Sequence, residues 1–150
     1  MQGLRTTGAS CTALAVILLC TAALAAEPSV EELKARFASA NIGERPRLCV
    51  QIAEKQETEA NRLYSANDFD KAQNTLSDVV AYSELARDYA IQSHKYQKQT
   101  EIAVRGFARK LGDLMRTLPK EDQGPVHDAI NRLQRVRDDL LSAMFPKGAK

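Results

Sequence analysis

The side chains that could do chemistry in this 150-residue chain are few: His94, His127, Cys49 and a spread of carboxylates. A metal site on a helix needs two ligands on one face, and neither histidine has a second His or a carboxylate at i+4. His127, beside Asp128, reads as a surface residue. No G-x-S-x-G, H-E-x-x-H or phosphate-loop pattern occurs. The carboxylates fall in helical register with Lys and Arg, as Asp138 and Asp139 do near Arg135. That spacing describes a solvated face rather than an acid–base pair. The sequence therefore predicts no catalytic residues, no metal, no cofactor and no enzyme.

Cys11 and Cys20 lie in the first 26 residues, which leaves Cys49 without a partner downstream. It stands in Leu48-Cys49-Val50-Gln51-Ile52-Ala53, beside an apolar helical face. Free cysteine is among the most buried residue types. An inert core thiol is expected, with a disulfide between two copies as the alternative.

Binding chemistry is better represented. Tyr82, Tyr89 and Tyr96 recur every seven residues, and the stretch 83–100 around the last two is otherwise mainly small and polar. Ala86, Ala90, Ser93, Gln97 and Thr100 offer too little apolar area to hold a helix at about 25 cal/mol per Å². The tyrosines are thus expected to meet a second surface, from this domain or from a partner. Lys98, Arg105, Arg109 and Arg116, with Lys95 and Lys110, make residues 95–120 basic against only Glu101 and Asp113. The first four form a possible anion-binding face; a solvated helix face is the ordinary alternative.

These residues sit behind what reads as an export leader. Arg5 is the one charge before Glu27, followed by the apolar run Ala13-Leu-Ala-Val-Ile-Leu-Leu and by Ala23-Leu24-Ala25-Ala26. A positive start, a short apolar run and an A-x-A site define a cleaved secretory signal over residues 1–26. The run is shorter than the roughly 20 apolar residues of a bilayer span. Residues 27–145 are then one helical domain and 146–150 a disordered tail, in a periplasmic or extracellular protein with no membrane span after cleavage. Loss of Arg5 with the leader lowers the formal net charge from +2 to +1. A nucleic-acid partner, which calls for a strong basic excess, is not expected.

Everything after Glu27 has the 3.6-residue period of helix, and no window alternates with period two. Ser29 and Glu32 form a capping box for the first helix, and Asn41-Ile42-Gly43 ends it, with Asn or Gly left-handed. A second helix spans 46–66, with Leu48, Ile52, Ala60 and Leu63 inside. Residues 70–118 hold no proline, and Val79, Ala86, Ser93, Thr100, Phe107 and Leu114 recur every seven residues. This favours one helix of about 70 Å, with a break near residues 92–95 as the alternative. After the turn Leu118-Pro119 to Gly124-Pro125, a last helix carries Val126, Ile130, Leu133, Leu140 and Met144 as its core stripe. The fold class is all-α, an antiparallel helical bundle.

Ala60-x-x-Leu63-Tyr64-x-x-Asn67-Asp68-Phe69-x-x-Ala72-x-x-x-Leu76-x-x-Val79 resembles one tetratricopeptide-repeat hairpin, over about residues 53–86. In that family small residues let two helices approach across a polar-aromatic turn; Ala60, Asn67-Asp68-Phe69 and Ala72 match those roles. The closing proline is missing near Glu84. Taken whole, residues 27–150 also look like small exported helical proteins of bacteria, a likeness that implies the fold and no activity. The expected function is a non-catalytic exported protein that binds another protein or itself; the alternative is a cell-envelope binder of anionic polymer or lipid.

Overall fold

Ser29 caps the first helix as its motif requires. Its side chain accepts from the Glu32 amide at 3.2 Å, while the Glu32 carboxylate accepts from the Ser29 amide at 2.9 Å. A computed structural model describes residues 26–147, so the expected leader, apart from Ala26, and the last three residues of the expected tail lie outside it. The described residues form five α-helices and no strand: α1 (Val30–Ser39), α2 (Arg45–Ser65), α3 (Phe69–Ser93), α4 (Gln97–Thr117) and α5 (Gln123–Met144). A single 3-10 turn, Lys120–Asp122, precedes α5. No helix among them is long and apolar enough to cross a membrane.

The four longer helices make an all-α bundle of two hairpins, α2–α3 and α4–α5, in which α3 also packs on α5 and α2 and α5 lie on one diagonal. Its main core joins Leu63, Leu76, Val79 and Val80 to Val104, Phe107, Leu111, Val126, Leu133 and Leu140. These are the apolar stripes of α2 to α5, each removed from water by the other three. Ala60 and Ala72 are fully buried at the α2–α3 hairpin. The turn between them uses Asn67 at φ 58°, a backbone region Asn tolerates better than most residues. Across it the Tyr64 and Phe69 rings lie 6.0 Å apart.

A smaller cluster holds α1 to the bundle: Leu33, Leu48 and Ile52, flanked by Val30, Phe37, Ala40 and Tyr82. The end of α1 departs from expectation. Ala40 caps it in extended backbone, and neither Asn41 nor Gly43 takes a left-handed φ. Gly43 is buried instead beneath the Lys95 side chain. A Cβ there would lie 3.0 Å from Lys95 Cδ, so a larger residue would have to push that side chain aside at the α3–α4 corner.

That corner corrects the favoured reading of residues 70–118. They do not form one helix: α3 stops at Ser93 and α4 begins at Gln97. His94 at φ 55° and Tyr96 at φ 60° are both left-handed, although neither is glycine. The reversal lets α4 bury Val104, Phe107 and Leu111 in the same core that α3 supplies, which a straight helix would leave in water.

Two ion pairs cross from α3 to α5. Arg132 clasps Glu84 at 2.9 Å, and Arg87 reaches Asp139 at 2.9 Å.

Candidate functional site

Helical geometry places residues spaced by three or four on one face. On α4, Lys98, Ile102, Arg105, Arg109 and Arg116 obey that spacing and are exposed, while Thr100, Val104, Phe107, Ala108 and Leu111 are buried. The basic positions read from the sequence therefore form one stripe, about 27 Å long at 1.5 Å per residue. Ile102, 47% exposed, stands between Lys98 and Arg105. With Arg105, Gly106 and Arg109 it lines a shallow depression of about 460 Å³.

The stripe is only partly neutralised. Arg105 Nε lies 3.8 Å from Glu101, whose carboxylate is mainly engaged by Arg137 at 2.7 Å. Arg116 pairs with Asp113 one turn away. Among the described residues Lys98 and Arg109 take part in no ion pair. Lys110 and Lys95 belong elsewhere: Lys110 Nζ donates to Glu57 on α2 at 3.1 Å, and Lys95 packs over Gly43.

The three tyrosines do not form one row. Tyr82 is half-buried where the two apolar clusters meet. Tyr89 meets Phe37 of α1 edge to face at 5.8 Å. The Arg45 guanidinium sits 5.1 Å from the Tyr89 ring centre and 5.3 Å from that of Phe37, and donates to the Tyr89 hydroxyl at 3.1 Å. The second surface for these two comes from this domain. Tyr96 stands apart at the α3–α4 corner, 38% exposed, in the position that precedes the first turn of α4.

Cys49 is fully buried. Burial pushes its thiol from 9.0 up to about 12, against a smaller opposing pull from the Arg45 charge. A thiol so held is neither nucleophile nor ready partner for a disulfide. His94 lies exposed at the end of α3. His127 lies exposed on α5, 3.9 Å from Asp128. Among the described residues no group of three His, Cys, Asp or Glu could hold a metal ion.

Two buried acids escaped sequence reasoning. Glu57 is 1% exposed, held by Lys110 and by the Asn61 amide; Glu101 is 6% exposed, held by Arg137. The signal was present for Glu57, which shares the register of Ala53, Ala60 and Tyr64 on the inner face of α2. Both tie helices together, Glu57 joining α2 to α4 and Glu101 joining α4 to α5. Tyr64 and Thr100 also bury hydroxyl groups that find no hydrogen-bond partner among the described residues.

The site defined by this fold is a charged face on an all-α bundle. No family model, curated protein or solved structure matches the chain.

Proposed function

We propose that this chain is a non-catalytic, exported helical protein that acts by binding an acidic surface of another protein through the outer face of α4. One observation carries the reading: Lys98, Ile102, Arg105, Arg109 and Arg116 share a single exposed face. Arginine around an exposed aliphatic side chain is the composition of a protein contact, since the guanidinium fork matches carboxylates in pairs. Membrane adsorption is less favoured, because a helix lying in lipid needs an apolar face free to insert. The apolar face of α4 is spent in the core. The resemblance of α2–α3 to a tetratricopeptide hairpin agrees with a binding role, and the leader with a place outside the cytoplasm.

The test compares the mature chain with an Arg105→Glu, Arg109→Glu double variant as bait in envelope extract. The reading expects protein partners captured by the parent, released by salt, and lost from the variant while helicity is unchanged. Equal capture by both baits overturns the assignment of the face. Capture of anionic vesicles or polysaccharide in place of protein supports the envelope-polymer alternative.

A further inference from the structure

The α3–α4 corner is built against the preference of its own sequence. His94 and Tyr96, both left-handed and neither glycine, flank Lys95 in a connection of three residues. Single left-handed residues other than glycine are unfavourable for L-amino acids. The Tyr96 side chain gives α4 no capping hydrogen bond. Yet the residues on both sides continue one seven-residue spacing, from Val79 through Ser93 and Thr100 to Leu114, with no Gly or Pro between residues 70 and 105. Straightened, residues 69–117 would satisfy the backbone that the corner strains.

What holds the corner closed is contact between its two arms. Val126, Leu133 and Leu140 of α5 and Val104, Phe107 and Leu111 of α4 pack on Leu76, Val79 and Val80 of α3. Glu57–Lys110, Glu84–Arg132 and Arg87–Asp139 bridge the same divide. Each of these contacts forms equally well if the α4–α5 arm comes from a second copy, because the surfaces are identical. Exchange of an identical element through a short strained hinge is a low-cost route to a dimer.

We infer that the α3–α4 corner is a hinge through which two copies of this chain exchange their α4–α5 arms, each dimer containing two continuous helices over residues 69–117. The partner is a second copy, chosen by the arm's own core and ion pairs. This does not depend on the reading of the α4 outer face, which the exchange leaves unchanged.

The mature chain, unfolded and refolded at high concentration, is sized by light scattering together with two hinge variants. Valine tolerates helix but is a strong outlier at positive φ. His94→Val with Tyr96→Val is therefore expected to raise the dimer-to-monomer ratio about tenfold or more, and His94→Gly with Tyr96→Gly to lower it. A valine variant that stays monomeric, or that fails to fold at all, overturns the inference. A second measurement identifies the dimer. Glu57→Lys and Lys110→Glu chains each juxtapose like charges within themselves but complement each other at both sites of an exchanged dimer. Refolded as a mixture they should dimerise more than either alone, and the gentler pair Glu84→Arg with Arg132→Glu should do the same. A dimer that gains nothing from mixing in both pairs is a surface contact and overturns the exchange.

Discussion

Glu57 on α2 accepts a hydrogen bond from Lys110 Nζ on α4 at 3.1 Å, joining a carboxylate 1% exposed to an ammonium half in water. Removing one partner of such a pair costs more than replacing the buried member by an apolar residue. Lys110→Ala leaves the carboxylate only the Asn61 amide, and should lower stability by about 1–3 kcal/mol. Glu57→Leu should cost less. Urea unfolding of the two variants gives the order directly, and the reverse order would mean that the pair outweighs its desolvation.

Cys49 should resist modification. At pH 8 the native thiol stays protonated, because burial holds it near 12, and a thiol reagent should label it only after the chain unfolds. The same shift sets a pH window. A folded value raised above 9.0 means that folding favours the protonated thiol. Its contribution is intact below pH 9 and is lost as pH climbs from 9 toward 12. Over that window the parent should lose stability faster than Cys49→Ala. Parallel curves for the two proteins would remove the thiol as the cause.

Leu133, fully buried on α5 in the main cluster, is a position where a single charge should do great harm. Leu133→Asp buries an unpaired carboxylate and should cost several kcal/mol, a large share of a typical 5–15 kcal/mol stability. Circular dichroism with heating tests it; a melt like the parent's would displace Leu133 from the core.

Tyr89 should report on α1 alone. Truncating it to Ala removes the edge-to-face contact with Phe37 and the Arg45 contact with the Tyr89 ring and hydroxyl, a loss of about 1–3 kcal/mol. Because α1 rests on its own small cluster, amide exchange should quicken in residues 30–39 and stay slow in α2 to α5. Uniform acceleration would show that the two clusters unfold as one.

What could be read from the residues was whatever is decided locally. The Ser29–Glu32 box, the inner face of α2 and the basic spacing of α4 each follow from contacts within four residues. The α3–α4 break does not. Ser93 and Thr100 keep the seven-residue spacing, and no glycine or proline marks the corner. The decision belongs to the far core, where Val104 and Leu111 gain burial only if the chain turns back. Arg45 was hidden for the same reason: its partner Tyr89 lies 44 residues away. The tyrosine spacing was real, but the corner removes Tyr96 from the face that Tyr82 and Tyr89 share with α1.

The two ion pairs between α3 and α5 have opposite sense: α3 supplies the acid at Glu84 and the base at Arg87, and α5 answers with Arg132 and Asp139. A seam of Val, Leu and Ala is nearly self-similar after two turns, so apolar packing alone discriminates poorly against a slipped alignment. Sliding α5 by seven residues one way sets Asp139 against Glu84; sliding it the other way sets Arg132 against Arg87. Both slips bring like charges together. The crossed pairs thus act as a parity check on a seam whose hydrophobic pattern cannot count its own turns.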